Sequence, residues 1–169
     1  MTVRNDHPDT AQNRWRPART HGVVLVGCDG STSGQPAVDF AIRESALRHA
    51  TVIAVSAFVL PDHAYRAVAG TTGEALIAKL SKVAHDSARK ALDLALTRAD
   101  TPDVEIELNV VVGHPSQMLL AASAGADLLV VGARGMGGWS RMVLGSVSTE
   151  VVHRAHLPVV VVPATPLVR

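Results

Sequence analysis

Short, uninterrupted apolar runs alternate along this chain with longer stretches in which apolar residues return every third or fourth position. The runs are β-branched and bounded by turn residues, so each reads as a buried strand. They predict strands over residues 22–28 (with Val23, Val24, Leu25 and Val26 in succession), 51–59, 104–112, 127–132 and 159–162. The third opens with alternation and ends as a buried run. The longer stretches predict amphipathic helices. One follows Pro36, which suits a first turn, and carries Val38, Ala41, Ile42, Ser45 and Ala46, with Phe40 and Leu47 widening its apolar face. A long one spans residues 74–98, with Leu76, Leu80, Val83, Ala84, Ala88, Ala91, Leu92 and Ala95 on one stripe. Pro115 opens a third, to about residue 124, and residues 146–156 form the fourth. Residues 61–72 are mixed and loop-like.

The order is β-α-β-α-β-α-β-α-β, without internal repeat. Strands that alternate with helices imply a parallel sheet covered on both faces, because each crossover must lie over a face. Such open sheets bind ligands beyond the carboxyl ends of the strands, where strand order reverses. Two glycine-rich segments lie at such ends. One is Asp29-Gly30-Ser31-Thr32-Ser33-Gly34 and the other spans residues 132–146.

Composition narrows the function classes. The chain has 169 residues, 47% apolar and only 3% aromatic, which suits one α/β domain built from thin aliphatic side chains. With 16 basic and 15 acidic residues there is no basic excess to argue for nucleic acid. The lone cysteine, Cys28, excludes an intrachain disulfide framework, makes no zinc site by itself and points to a reducing compartment. No apolar run reaches the roughly 20 residues that span a bilayer. Residues 1–20 carry Arg4, Asp6, Asp9, Arg14, Arg16 and Arg19 without an apolar core, so they read as a disordered leader rather than a secretory signal. A domain over residues 21–165 and a cytoplasmic location are expected.

The chemistry concentrates in the second glycine segment, which has the form Gly132-x2-Gly135-x9-Gly145-Ser146. Glycines let backbone approach a ligand closely, successive N–H groups cradle anions, and a helix beginning at Gly145-Ser146 favours phosphate. Arg134 or Arg141 adds charge. The segment has no G-x-x-x-x-G-K-[ST], no G-x-G-x-x-G follows the first strand, and the G-x-S-x-G elbow is absent. Plainer readings stand beside these. Asp29 makes an Asx turn or caps the next helix without excluding a ribose contact. Ser146 and Ser148 cap the fourth helix. Cys28 is a small buried hydrophobe. Trp139 and Met142 anchor their loop by packing. His153 and His156 lack a third metal ligand.

This pattern resembles the ATP-binding branch of the universal stress protein family. The resemblance rests on the second glycine segment, on Cys28-Asp29-Gly30-Ser31 at the first strand's end, on Gly113-x-Pro115, and on the final Leu157-Pro158 and four-valine strand. It implies a five-stranded parallel open sheet in the order 3-2-1-4-5, of the adenine nucleotide alpha-hydrolase-like type. It implies that Asp29 faces the adenine or ribose end and Val131 lines the base pocket. The Ala57 backbone contacts adenine, in a strand reading Val55-Ser56-Ala57 where family members often have His-Val. Gly132 and Gly135 let the loop pass close to ribose and phosphates. Gly145, Ser146 and Ser148 hold the phosphates, and Gly27, Cys28, Ser31, Gly113, Arg134 and Val147 complete the implied site. ATP or another adenine nucleotide is the implied ligand, with room for Mg2+ although no protein ligand for it can be named. A role in stress response as a nucleotide sensor or regulator follows. Hydrolysis would at most be slow, because no general base stands beside the phosphates; slow ATP hydrolysis and, since the family includes such members, a cAMP-binding variant are the alternatives. An uncharged strand over residues 158–162 at a sheet edge invites pairing with a second chain, and the resemblance points to a homodimer formed there.

Overall fold

Each apolar run forms a strand in a computed structural model that describes residues 22–60, 71–101, 103–135 and 144–164. The elements are β1 (Val23–Gly27), α1 (Gln35–Arg48), β2 (Thr51–Phe58), α2 (Thr71–Ala99), β3 (Ile106–Val112), α3 (Pro115–Ala122), β4 (Leu128–Gly132), α4 (Ser146–Arg154) and β5 (Val159–Val162). All pairings are parallel and the order is β3-β2-β1-β4-β5. The chain winds outward from β1 to β3, then crosses to the other side of β1 for β4 and β5. Order therefore reverses between β1 and β4.

The period-two geometry of strands divides the aliphatic side chains between two layers. Val24, Val26, Val52, Ala54 and Val130 meet Ala37, Val38, Ala41 and Ile42 of α1 and Ala88, Leu92 and Ala95 of α2. Val23, Leu25, Ile53, Val55, Leu129 and Val131 meet Leu119 and Ala122 of α3 and Val151 of α4. Alanines on the inward helix faces let the helices lie close to a sheet made of valine, so few aromatic side chains are needed to fill the space. As the outermost strand on its side, β3 keeps its alternation but ends half-buried, not buried as its apolar run suggests.

Two residues placed on apolar faces from helical spacing are exposed. Leu47 is 79% exposed at the last turn of α1, and Val83 is 57% exposed on α2. The reason for Val83 is length. At 29 residues, α2 is about 44 Å long at 1.5 Å per residue. The 8 residues of β2 reach only about 26 Å. Ser87 lies against Gly30, just past the carboxyl end of β1. Ala88, Ala91, Leu92 and Ala95 are buried after that point, whereas no described residue of α2 before it belongs to that core layer. Among the described residues no helix is long and apolar enough to cross a membrane. The leader expected over residues 1–20 and most of the loop expected over residues 61–72 lie outside the described residues.

Candidate nucleotide-binding site

The β1–β2 ladder ends at Gly27↔Val55, with one more bond from the Cys28 N–H to the Val55 carbonyl at 2.9 Å. The β2–β3 ladder continues to Phe58↔Val112. Ala57 is thus held by β3 on one side, while its β1-side edge lies beyond the ladder. A cavity of about 660 Å³ opens there, over the carboxyl ends of β1, β2 and β4. That volume falls within the roughly 300–1,000 Å³ of small-molecule sites.

Gly27, Cys28, Asp29, Ala57, Val131, Gly132, Arg134, Gly135, Gly145, Ser146, Val147 and Ser148 all line this cavity. The fold thereby brings together residues from four separate segments. Ser31 and Gly113 do not line it. The Ser31 side chain is spent inside the β1–α1 turn: its hydroxyl donates to Asp29 Oδ1 at 2.6 Å and accepts the Gly34 N–H at 3.0 Å. Gly113 has φ +152°, and a Cβ there would press on Met118 at 3.0 Å, so its glycine serves the turn into α3.

Asp29 forms the Asx turn, its Oδ1 also accepting the Ser31 N–H at 2.9 Å. Its other oxygen faces the second glycine segment so closely that a Cβ on Gly135 would lie 2.6 Å from Asp29 Oδ2. The Ser33 hydroxyl donates to the Gly135 carbonyl at 3.3 Å. The two glycine segments therefore meet across one carboxylate.

The second segment leaves β4 and returns to its starting point. The Ala133 carbonyl accepts the Gly145 N–H at 2.7 Å, and α4 begins at once. The N-cap is Gly145, with no side-chain cap, so the capping expected of Ser146 does not occur. The first turn of α4 instead presents its N–H groups at the cavity wall formed by Ser146, Val147 and Ser148. Among the described residues, Arg134 is the cation that lines the cavity. Trp139, Arg141 and Met142, singled out above, lie outside the described residues.

Much of the remaining lining is apolar. Val55, Pro115, Leu119 and Leu144 belong to it, and with Gly34 they were not among the expected site residues. A signal existed for Val55, which shares a strand face with Ala57 two residues on. None existed for Leu119, which reaches the cavity only because α3 packs over β1 and β2. Cys28 is 3% exposed, and burial is the main reason its thiol pKa is pushed up to about 12, with Asp29 adding to the rise and a hydrogen bond involving the Gly30 backbone opposing it. It behaves as a small hydrophobe. Behind the wall, Ser116 Oγ donates to Glu150 Oε2 at 2.6 Å and ties α3 to α4. That bond, then Arg154, holds the Glu150 carboxyl below its usual pKa. His153 and His156 are exposed, and no group of three His, Cys, Asp or Glu among the described residues could hold a metal.

The sequence model described as the Universal stress protein family matches residues 21–163. A universal stress protein of Mycobacterium bovis is 34% identical over 151 residues, covering 86% of this chain and 46% of the relative. One from Mycobacterium tuberculosis is 34% identical over 138 residues, covering 82% and 44%. The chain thus spans about half the length of the curated relatives it matches. Among solved structures, a universal stress protein in complex with cAMP is 29% identical with a TM-score of 0.56, covering 86% of this chain and 98% of that one. The universal stress protein UspA from Lactobacillus plantarum, 20% identical, shares the fold with a TM-score of 0.67, covering 84% and 97%.

Proposed function

The chain belongs to the universal stress protein family, and we propose that its cavity binds an adenine nucleotide, ATP foremost, as the sensing or regulatory step of a stress response in the cytoplasm. The observation that carries the proposal is the pairing of two unlike sets of groups in one cavity. The uncapped first turn of α4 and Arg134 line it together with the apolar Val55, Ala57, Leu119 and Val131. A helix N-terminus attracts phosphate, and an apolar slot takes a base. The Ala57 backbone edge beyond the β1 ladder supplies polar groups to read that base. Asp29 lines the same cavity and would meet the ribose.

A divalent ion would ride on the phosphates, since the described residues supply no ligand cluster for it. Slow hydrolysis is the most the site would support, because Asp29, the acid on the cavity wall, is engaged in its turn. Two chains would pair through β5, the outermost strand on its side among the described residues, whose four valines are half-buried. Sedimentation showing only monomer at micromolar concentration would exclude that pairing.

Mass spectrometry of the nucleotide released from freshly purified protein tests the main reading. Stoichiometric ATP supports it, and a protein that neither carries nor takes up adenine nucleotide refutes it. The cAMP complex of a 29% identical relative favours a second reading, in which cAMP occupies the same cavity. Failure of excess cAMP to displace ATP would remove it.

A further inference from the structure

The resemblance assigns the Ser148 hydroxyl to the phosphates, but the geometry gives it other partners. Ser148 is 2% exposed. Its Oγ lies 3.0 Å from the Ala133 carbonyl oxygen and 3.0 Å from the Gly145 carbonyl oxygen. A serine hydroxyl has one hydrogen, shared here between two carbonyls that can only accept. Donating to a phosphate would require that hydrogen to leave both.

The atom it holds is the junction of the site. The Ala133 carbonyl already accepts the Gly145 N–H at 2.7 Å, and the Ala133 N–H donates to the Val162 carbonyl at 2.7 Å. One residue thus links the exit of β4, the end of β5, the return of the glycine segment and the first turn of α4. The ends of a loop brought together in this way resist a closure entropy that grows with loop length. A buried bond across those ends offsets it.

We infer that Ser148 is a positioning residue: its hydroxyl clasps the two ends of the glycine-rich segment and so fixes the uncapped N-terminus of α4, without itself touching phosphate. The inference rests on the reading of this cavity as a nucleotide site. It leaves phosphate contact to the N–H groups of the first helical turn, to Arg134 and to Ser146. Ser146 is exposed where Ser148 is buried.

The test uses the full chain with Ser148→Ala, Ser148→Val and Ser148→Thr. Amide exchange of the Gly145 N–H is followed first, without nucleotide. The clasp predicts exchange about two- to tenfold faster in Ser148→Ala and Ser148→Val, the range one net hydrogen bond commands, and return toward the parent rate in Ser148→Thr. ATP affinity should fall and recover in the same order. The phosphorus resonances of bound ATP at saturation should keep their parent positions in Ser148→Ala. Unchanged Gly145 exchange, or phosphorus resonances displaced at saturation by loss of the hydroxyl, would overturn the assignment. If the parent protein takes up no ATP, the nucleotide reading falls, while the exchange measurement still decides whether the clasp exists.

Discussion

Glycines 135 and 145 occupy one sequence motif, yet the structure separates their reasons for being glycine. A Cβ on Gly135 would sit 2.6 Å from Asp29 Oδ2, far inside van der Waals contact. That carboxylate cannot swing away freely, because its Oδ1 is held by the Ser31 N–H and hydroxyl. Gly135→Ala should therefore destabilise the fold by about 1–3 kcal/mol, the usual range for overpacking. At roughly 2–4 °C per kcal/mol for a domain of this size, the melting temperature should drop by about 2–12 °C. Gly145 has φ −78° and ψ 169°, accessible to any residue. Its nearest Cβ neighbour would be the Ala133 oxygen at an ordinary 3.5 Å. For Gly145→Ala, a gain of about 0.4–1 kcal/mol from a less flexible unfolded chain opposes the poorer N-cap preference of alanine, worth a similar amount. Stability should stay within about 1 kcal/mol of the parent. The added methyl nonetheless stands on the cavity wall, where a similar overpacking against bound phosphate would weaken ATP binding about ten- to a hundredfold. Thermal unfolding without ligand and calorimetric titration with ATP measure the two effects separately. A double-mutant cycle sharpens the first: in an Asp29→Ala background, Gly135→Ala should lose most of its penalty. Equal destabilisation by the two glycine changes would refute the distinction. Unaltered ATP affinity in Gly145→Ala would show that this wall is not the phosphate wall.

Leu92→Ala should cost about 2–5 kcal/mol in urea unfolding, since Leu92 is fully buried between α2 and the sheet; Leu47→Ala, at a largely exposed site, should change stability by less than about 0.5 kcal/mol. Cys28 should resist thiol reagents in the native protein and react at the rate of unfolding. Its raised pKa also favours the folded state only below the ordinary thiol value of 9.0, so stability should decline as pH climbs from there toward about 12. The lowered pKa of Glu150 has the opposite sign: its contribution is present above the ordinary value of 4.5 and is lost as pH falls through the lower folded value. Glu150→Gln should accordingly flatten the acid limb of a stability-against-pH curve measured by denaturant unfolding.

Local pattern alone was sufficient for the elements of this protein and for the parallel character of its sheet. Uninterrupted β-branched runs can be satisfied only by strands covered on both faces, and the alternation with helices supplies the covers. The glycine spacing and its helix start also marked the carboxyl-end segments correctly, because turns and helix ends are governed by residues adjacent in the chain. The resemblance added the strand order, which pattern cannot fix, since either side of β1 would accept β4 equally well by hydropathy. Packing decided the rest. Which apolar residues of α2 are buried depends on where the sheet ends beneath it, so Ala88 and Leu92 are core while Val83, on the same stripe, is exposed. The cavity's apolar wall depends on α3 crossing over β1 and β2, which brings Leu119 beside Val55 although their positions in the chain predict no contact. The two serines of α4 look alike in sequence. Ser146 is exposed at the cavity wall, whereas Ser148 is turned one residue pair further around the helix onto the Ala133 carbonyl. A hydroxyl's role is set by which acceptor lies within about 3 Å of it, and the Ala133 carbonyl comes from the segment just past β4, not from the helix.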